Sequence, residues 1–233
     1  MNDLIFFFNQ AVIGGVVLGS IYALGAVGVT LIFGILRFAH FAHGDMMTMG
    51  AFITFVLAGV LAAMGIVTPI PTGVLVVPLA MVLAAGLALG IDKGFYAPLR
   101  ARGAKPVTLL IASIGVTMMI QGLIRLFFGV ETRSFFDTEP KQIFRLELPF
   151  EGVTRPITFT EPQIWLVAST AIAVIALHYF LTRSRLGKGM RAMADNSDLA
   201  KVSGINTKLV VRVTWVIAGA LACLAGTMLA LDT

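Results

Sequence analysis

"QAVIGGVVLGSIYALGAVGVTLIFGIL", residues 10–36, contains no ionisable acid or base, and it runs straight into "RFAHFAHGD", residues 37–45, which holds an arginine, two histidines and an aspartate. A helix needs roughly 20 consecutive apolar residues to cross the hydrocarbon core of a bilayer. The first stretch meets that length, and the second is a polar knot at its end. Similar runs recur at 46–91, 106–124, 162–182 (His178 aside) and 213–231, and "GIVTPIPTG" (65–73) divides the first of these. The pattern predicts six spans, near 10–34, 46–64, 72–91, 106–127, 162–182 and 211–230.

Composition agrees. Of the 233 residues, 58% are hydrophobic and only 12% charged, about half the charged share of a soluble domain. Mean hydropathy is +0.94. The chain therefore reads as an all-α, polytopic membrane bundle, with residues 1–233 as one transmembrane domain. "MNDL" at the N-terminus has an aspartate and no base, and the run behind it is too long for a signal-peptide core, so no cleaved leader is expected. A single cysteine, Cys223, excludes an intrachain disulfide. The net charge of +5 resides in loop lysines and arginines and does not indicate a nucleic-acid surface.

Those loop charges orient the chain. Residues 92–105 carry four Lys/Arg and one acid, and residues 183–212 carry seven against two, whereas residues 129–161 have more acids than bases. Basic loops stay in the cytoplasm. Residues 129–161 should then be external, residues 183–208 cytoplasmic, the knot at 37–45 near the cytoplasmic side and the N-terminus outside. Within the external loop, "IFRLELPF" and "TRPITFT" alternate as a short hairpin would.

Gly15, Gly19, Gly86, Gly90, Ala218, Ala222 and Gly226 stand at four-residue spacings that let helices approach closely in lipid. Ser113, Thr117, Gln121 and Arg125 repeat every four residues and form one polar stripe on the fourth span. The stripe suits either the wall of a substrate path or hydrogen bonding between helices, with Arg125 reaching the external interface. In the cytoplasmic segment, "NSDLAKVSG" reads as a short helix. Asn196 or Ser197 would cap its start, Asp198 suits its first turn, and Gly204 suits its left-handed stop. So short a helix is unstable alone. It must dock, through Leu186, Met190, Met193, Leu199 and Val202, on lipid headgroups or on a cytoplasmic partner.

His40, His43 and Asp45 do not form a metal motif, because no third histidine is near and no H-E-x-x-H is present. Ser20 and Ser113 lie in no nucleophile motif. No metal, no cofactor and no catalytic residue is expected. Gly34 and Gly44 bracket the knot, which is read as a break between helices whose polar side chains satisfy freed backbone groups.

Three blocks carry a family resemblance. "YALGAVGVTLIFGILRFAHFAHGDMMTMGAF" (22–52), "FYAPLRARGAKPVTLLIASIGVTMMIQ" (95–121) and "SRLGKGMRAMADNSDLAKVSGIN" (184–206) together resemble the branched-chain amino-acid ABC-transporter permeases, specifically the smaller permease subunit. The resemblance implies a type II importer-like bundle without enzymatic activity of its own. Its implied partners are a second related permease, ABC ATPase subunits that hydrolyse ATP, an external substrate-binding protein and membrane lipid, in a bacterial inner membrane. It also implies a coupling helix around Ala194–Gly204, with Arg191, Ala194, Asp195, Leu199, Ala200, Val202 and Gly204 as ATPase contacts. Ser113, Thr117, Gln121, His40 and His43 are the candidates for the substrate path. Urea or short amides are the alternative cargo, and a stand-alone channel or secondary transporter the alternative class. The latter would need intramembrane acids for ion coupling, and no acid is expected in mid-span. Family members usually continue past a helix like the sixth span, so a C-terminally shortened chain is also expected.

Overall fold

The computed structural model describes residues 2–65, 70–131, 133–135, 141–147 and 156–232. Residues 66–69 of the "GIVTPIPTG" break and 148–155 of the external loop lie outside that range. Among the described residues, six helices are long and apolar enough to cross a membrane, with bounds at Ile5–Leu36, His43–Ala63, Thr72–Ala101, Pro106–Phe128, Glu161–Arg183 and Thr207–Asp232. All six expected spans are present, most of them extending a few residues beyond the apolar runs. The first span comprises α1 (Asn2–Phe7), a π-helical segment (Phe8–Ile13) and α2 (Gly14–Leu36). The second is α3 (His43–Ala63).

The third span departs most from expectation. Residues 92–105 were expected to be loop. Instead α4 (Thr72–Ile91) continues through a π-helical segment (Asp92–Tyr96) into α5 (Ala97–Ala101). The charges do not end the helix because they satisfy one another: Arg100 Nη2 donates to Asp92 Oδ1 at 2.6 Å. A π turn adds one residue to the helix, which puts the eighth residue on where an α-helix would put the seventh, on the same face.

The remaining spans are α6 (Pro106–Phe128), α7 (Glu161–Arg183) and α10 (Thr207–Asp232). Between α6 and α7, β1 (Ile143–Leu146) pairs antiparallel with β2 (Ile157–Thr160), in a register that faces Phe144 with Phe159. Their rings stack at 5.7 Å. The expected hairpin is therefore formed. Between α7 and α10 lie α8 (Arg185–Asp195) and α9 (Ser197–Val202).

The bundle is assembled around α10, which packs against α2, α3 and α4. Trp215, Ala218, Ala222, Cys223 and Ala225 on it are fully buried. Helices in lipid associate by close packing rather than by a hydrophobic drive, and glycine makes that approach possible here. A β-carbon on Gly219 would lie 2.7 Å from Ala88 Cβ, and one on Gly50 would lie 2.5 Å from Cys223 Cα. Gly226 rests on the backbone of Met47. Polar side chains in these seams bond internally: Thr54 and Thr227 hydroxyls are 2.7 Å apart, and Thr54 also donates to the Gly50 carbonyl at 3.0 Å. Gly15, Gly19, Gly86 and Gly90 have open space where a β-carbon would go, so those four mark faces not packed within this chain.

The two ends of the first span identify two sides. At its outer end, the Asn9 amide donates to the Pro156 carbonyl at 3.0 Å and its oxygen accepts from Thr158 N–H at 3.3 Å. At the other end, Arg37 reaches the carbonyls of Ala194 and Asp195. The N-terminal segment thus lies with the hairpin and the knot lies with α8, in agreement with the order that the loop charges imply.

Candidate functional site

The knot is a helix break that turns back into the bundle. α2 ends at Leu36. Arg37 adopts a left-handed conformation (φ 60°, ψ 30°), and its N–H closes the helix on the Phe33 carbonyl at 2.9 Å. A non-glycine residue pays about 1 kcal/mol for that conformation. What offsets it is the side chain: the guanidinium donates to the Ala194 carbonyl and, at 3.5 Å, to that of Asp195. The last carbonyls of a helix lack partners within it and carry partial negative charge, so Arg37 caps α8 from a distant part of the chain.

Residues 38–42 then climb inward. The His43 ring lies against Gly28, where a β-carbon would be only 2.5 Å from its Nε2. Gly28 is eight residues before Leu36, roughly 12 Å along the helix at 1.5 Å per residue. α3 therefore starts inside the bundle. Non-helical backbone is tolerated at such depth only when protein surrounds it, and here protein does. Phe38 and Ala42 are fully buried. The Phe41 N–H donates to Ser113 Oγ at 3.2 Å, and the His43 N–H to the His40 carbonyl at 3.3 Å. The His40 ring packs in T-shaped contact with Trp215 and Tyr96 at 5.1 and 5.4 Å, and those two rings stack on each other at 5.2 Å.

The α6 stripe faces this break. Besides Ser113, Gln121 Nε2 donates to Asp45 Oδ1 at 3.0 Å. Thr117 Oγ1 lies between them, buried and without a hydrogen-bond partner among the described residues. Ser113, Thr117, Gln121, His40 and His43 are thus brought around one feature. The expectation that no acid lies in mid-span needs correction. Asp45 is in the first turn of α3, at the level of Gln121, because the connection re-enters the bundle and carries it there. The two histidines are buried to 3% and 2% exposure, and among the described residues no group of three His, Cys, Asp or Glu is placed to hold a metal.

The cytoplasmic segment is built as two helices. Ser184 Oγ caps α8 by accepting from Gly187 N–H at 2.8 Å. Asn196 Oδ1 caps α9 by accepting from Asp198 N–H and Leu199 N–H, both at 3.0 Å, and Gly204 ends it at φ +81°. The expected single element at Ala194–Gly204 is divided: Ala194 and Asp195 finish α8, and Asn196 turns the chain into α9. Met190, Met193 and Ala200 point into the bundle, while Leu199 and Val202 are 65% and 87% exposed. Arg191 and Asp195 are exposed as well.

Sequence reasoning missed Tyr96 and Trp215. Trp215 had a usable signal, since it lies inside a span rather than at the interface where tryptophan usually sits. It also missed a cavity of about 520 Å³ along α3, lined by Met47, Phe52, Phe55, Arg133, Phe135 and Leu229 among others.

Six spans packed around a connection that re-enters the bundle define a polytopic helical membrane protein. The family model for the branched-chain amino acid transport system permease component matches residues 11–233. The chain belongs to that family. It is 33% identical over 236 residues to the high-affinity branched-chain amino acid transport system permease protein LivH of Escherichia coli K12, a match covering 98% of this chain and 72% of that one. It is 30% identical over 229 residues to BraD of Pseudomonas aeruginosa, with the same coverage. The ribose import permease protein RbsC of Escherichia coli K12 is 27% identical over 207 residues, covering 89% of this chain and 57% of RbsC. No solved structure matches. The chain is an integral inner-membrane transport permease subunit.

Proposed function

We propose that this chain is one of two related permease subunits of an ATP-driven importer of branched-chain and other hydrophobic amino acids. ATP hydrolysis takes place in ATPase subunits docked on α8 and α9, and an external binding protein delivers the cargo. The observation that carries this reading is the arrangement of α9. Its caps and its inward Ala200 hold it against the bundle, while Leu199 and Val202 are exposed and no described residue covers them. An amphipathic helix displayed in this way suits a groove in a partner. Arg37 ties the neighbouring α8 to the helix break, so a push on α8–α9 reaches the start of α3. Ser113, Thr117, Gln121, His40 and His43 hold and flank that break as the inner part of the path, and Arg191, Ala194, Asp195 and Gly204 complete the coupling element.

The test is purification of the tagged chain from native membranes in mild detergent, with and without Leu199→Asp and Val202→Asp. Recovery of an ATP-binding cassette protein with the wild type, and its loss with the substitutions, is the expected outcome. An equal yield of ATPase from both forms would refute α9 as the docking element. Isolation of the wild type alone, in membranes where the ATPase is expressed, would refute the importer reading.

A further inference from the structure

We infer that the cavity along α3 is an outward-facing cargo site for a zwitterionic apolar amino acid, its side chain held by Phe52, Phe55, Phe135 and Met47, its carboxylate by Arg133 and its ammonium by Glu131. This inference rests on the importer reading and specifies where in the chain the cargo is recognised.

The cavity follows one face of one helix. Gly44, Met47, Thr48, Ala51, Phe52 and Phe55 line it, at spacings of three and four that place them on a single stripe of α3. The opposite wall is the end of α10, held close by the contact of Gly226 with the Met47 backbone. The mouth is the segment after α6, which contributes Glu131, Arg133 and Phe135. That segment belongs to the side of the hairpin. The floor, Gly44, lies in the first turn of α3 beside the break. The cavity thus runs from the external side down to the buried start of α3, over eleven residues of helix or roughly 16 Å. Its volume of about 520 Å³ is within the range of small-molecule sites.

Its chemistry is specific in two respects. The wall is phenyl, thioether and aliphatic, which suits an uncharged branched or aromatic side chain. The mouth carries one charge of each sign. Arg133 is positioned by its bond from Nη2 to the Phe128 carbonyl at 3.3 Å and by lying 5.9 Å from the Phe55 ring centre. A guanidinium has five N–H donors, so most remain for a ligand carboxylate. Glu131 forms no hydrogen bond or ion pair among the described residues, and the two side chains do not pair with each other. An α-amino acid presents both complementary charges as substituents of one carbon, with an apolar group on the same carbon. A sugar offers neither charge, and a simple anion would be repelled by Glu131. Both side chains are exposed, so solvent weakens their grip. That suits a transit site, where tight binding would hinder release.

The test uses the complete importer with its binding protein, reconstituted in vesicles, with L-leucine as the probe. Uptake and ATP hydrolysis stimulated by the loaded binding protein are measured together. Arg133→Gln and Glu131→Gln should each raise the concentration for half-maximal uptake about tenfold, and Ala51→Phe should block uptake by filling the cavity. All three should leave stimulated ATP hydrolysis unchanged, since docking and coupling lie elsewhere. Unchanged uptake in the three variants would overturn the inference. So would a parallel loss of hydrolysis, which would make these residues part of docking or folding. A wild-type importer that hydrolyses ATP but takes up no amino acid would instead overturn the importer reading, and the cargo site with it.

Discussion

Gly226→Ala should be the most damaging single-methyl addition in this chain. The new carbon would stand 2.5 Å from the Met47 carbonyl carbon and closer still to its oxygen. Carbon atoms pack at about 3.5–4.0 Å, so α3 and α10 would have to separate by about 1 Å. No side chain can move aside, because backbone lies on the receiving side. The separation would also loosen the nearby seam in which Gly50 rests on Cys223 and Thr54 meets Thr227. Overpacking of a well-filled core costs about 1–3 kcal/mol. A clash against backbone belongs at the upper end, so the expected loss is about 3 kcal/mol. With roughly 2–4 °C of melting temperature per kcal/mol for a chain of this size, the melting point in detergent should fall by roughly 10 °C. Gly86→Ala, where a β-carbon meets nothing within 4 Å, is the matched control and should change stability little. If Gly226→Ala melts with the control, the packing account of the α3–α10 seam is wrong.

Arg37 allows a side-chain effect to be separated from a backbone effect. Arg37→Ala and Arg37→Gly both delete the contact with the end of α8, but only glycine relieves the left-handed backbone, so the glycine variant should be more stable by about 1 kcal/mol in chemical denaturation. In the assembled importer both should hydrolyse ATP yet transport poorly, and equal transport by wild type and variants would exclude Arg37 as the link. The Thr54–Thr227 bond can be measured by a double-mutant cycle with valine at each position. A coupling of about 0.6 kcal/mol, and no more than about 1.7, is expected from hydrogen bonds between helices in membranes; zero coupling would mean that the hydroxyls serve only their own helix backbones.

Much of the architecture is legible in the residues. The charge-free runs predict all six spans because the bilayer imposes a length, and the alternation at 143–146 and 157–160 predicts the hairpin. Asn196 and Gly204 predict the limits of α9, since capping is local chemistry. What remained hidden depends on tertiary placement. The helix continues past Asp92 because Arg100, eight residues on, neutralises it, and no apolar count registers that. The sequence places Asp45 in a knot near the cytoplasmic side with no acid in mid-span, whereas the re-entrant connection sets it beside Gln121. The cavity along α3 is set by how closely Gly226 brings α10, and its mouth comes from a loop whose residues show no pattern. The comparison with relatives supplies the family; the position of the cavity comes from the packing.

The π-helical segment at Asp92–Tyr96 has a consequence for the length of the chain rather than its chemistry. Since it holds one residue more than an α-helical turn requires, removing one residue there would leave an ordinary helix with every backbone bond intact. Everything beyond would keep its place around the axis, because the seventh residue of an α-helix lies on the face that the eighth occupies across the π turn, so Arg100 would still meet Asp92. The same deletion in the regular α4 ahead of it would instead turn Tyr96 by about 100° away from Trp215 and dismantle the aromatic support beneath the break. In this helix the number of residues is as much a determinant of the interior as their identity.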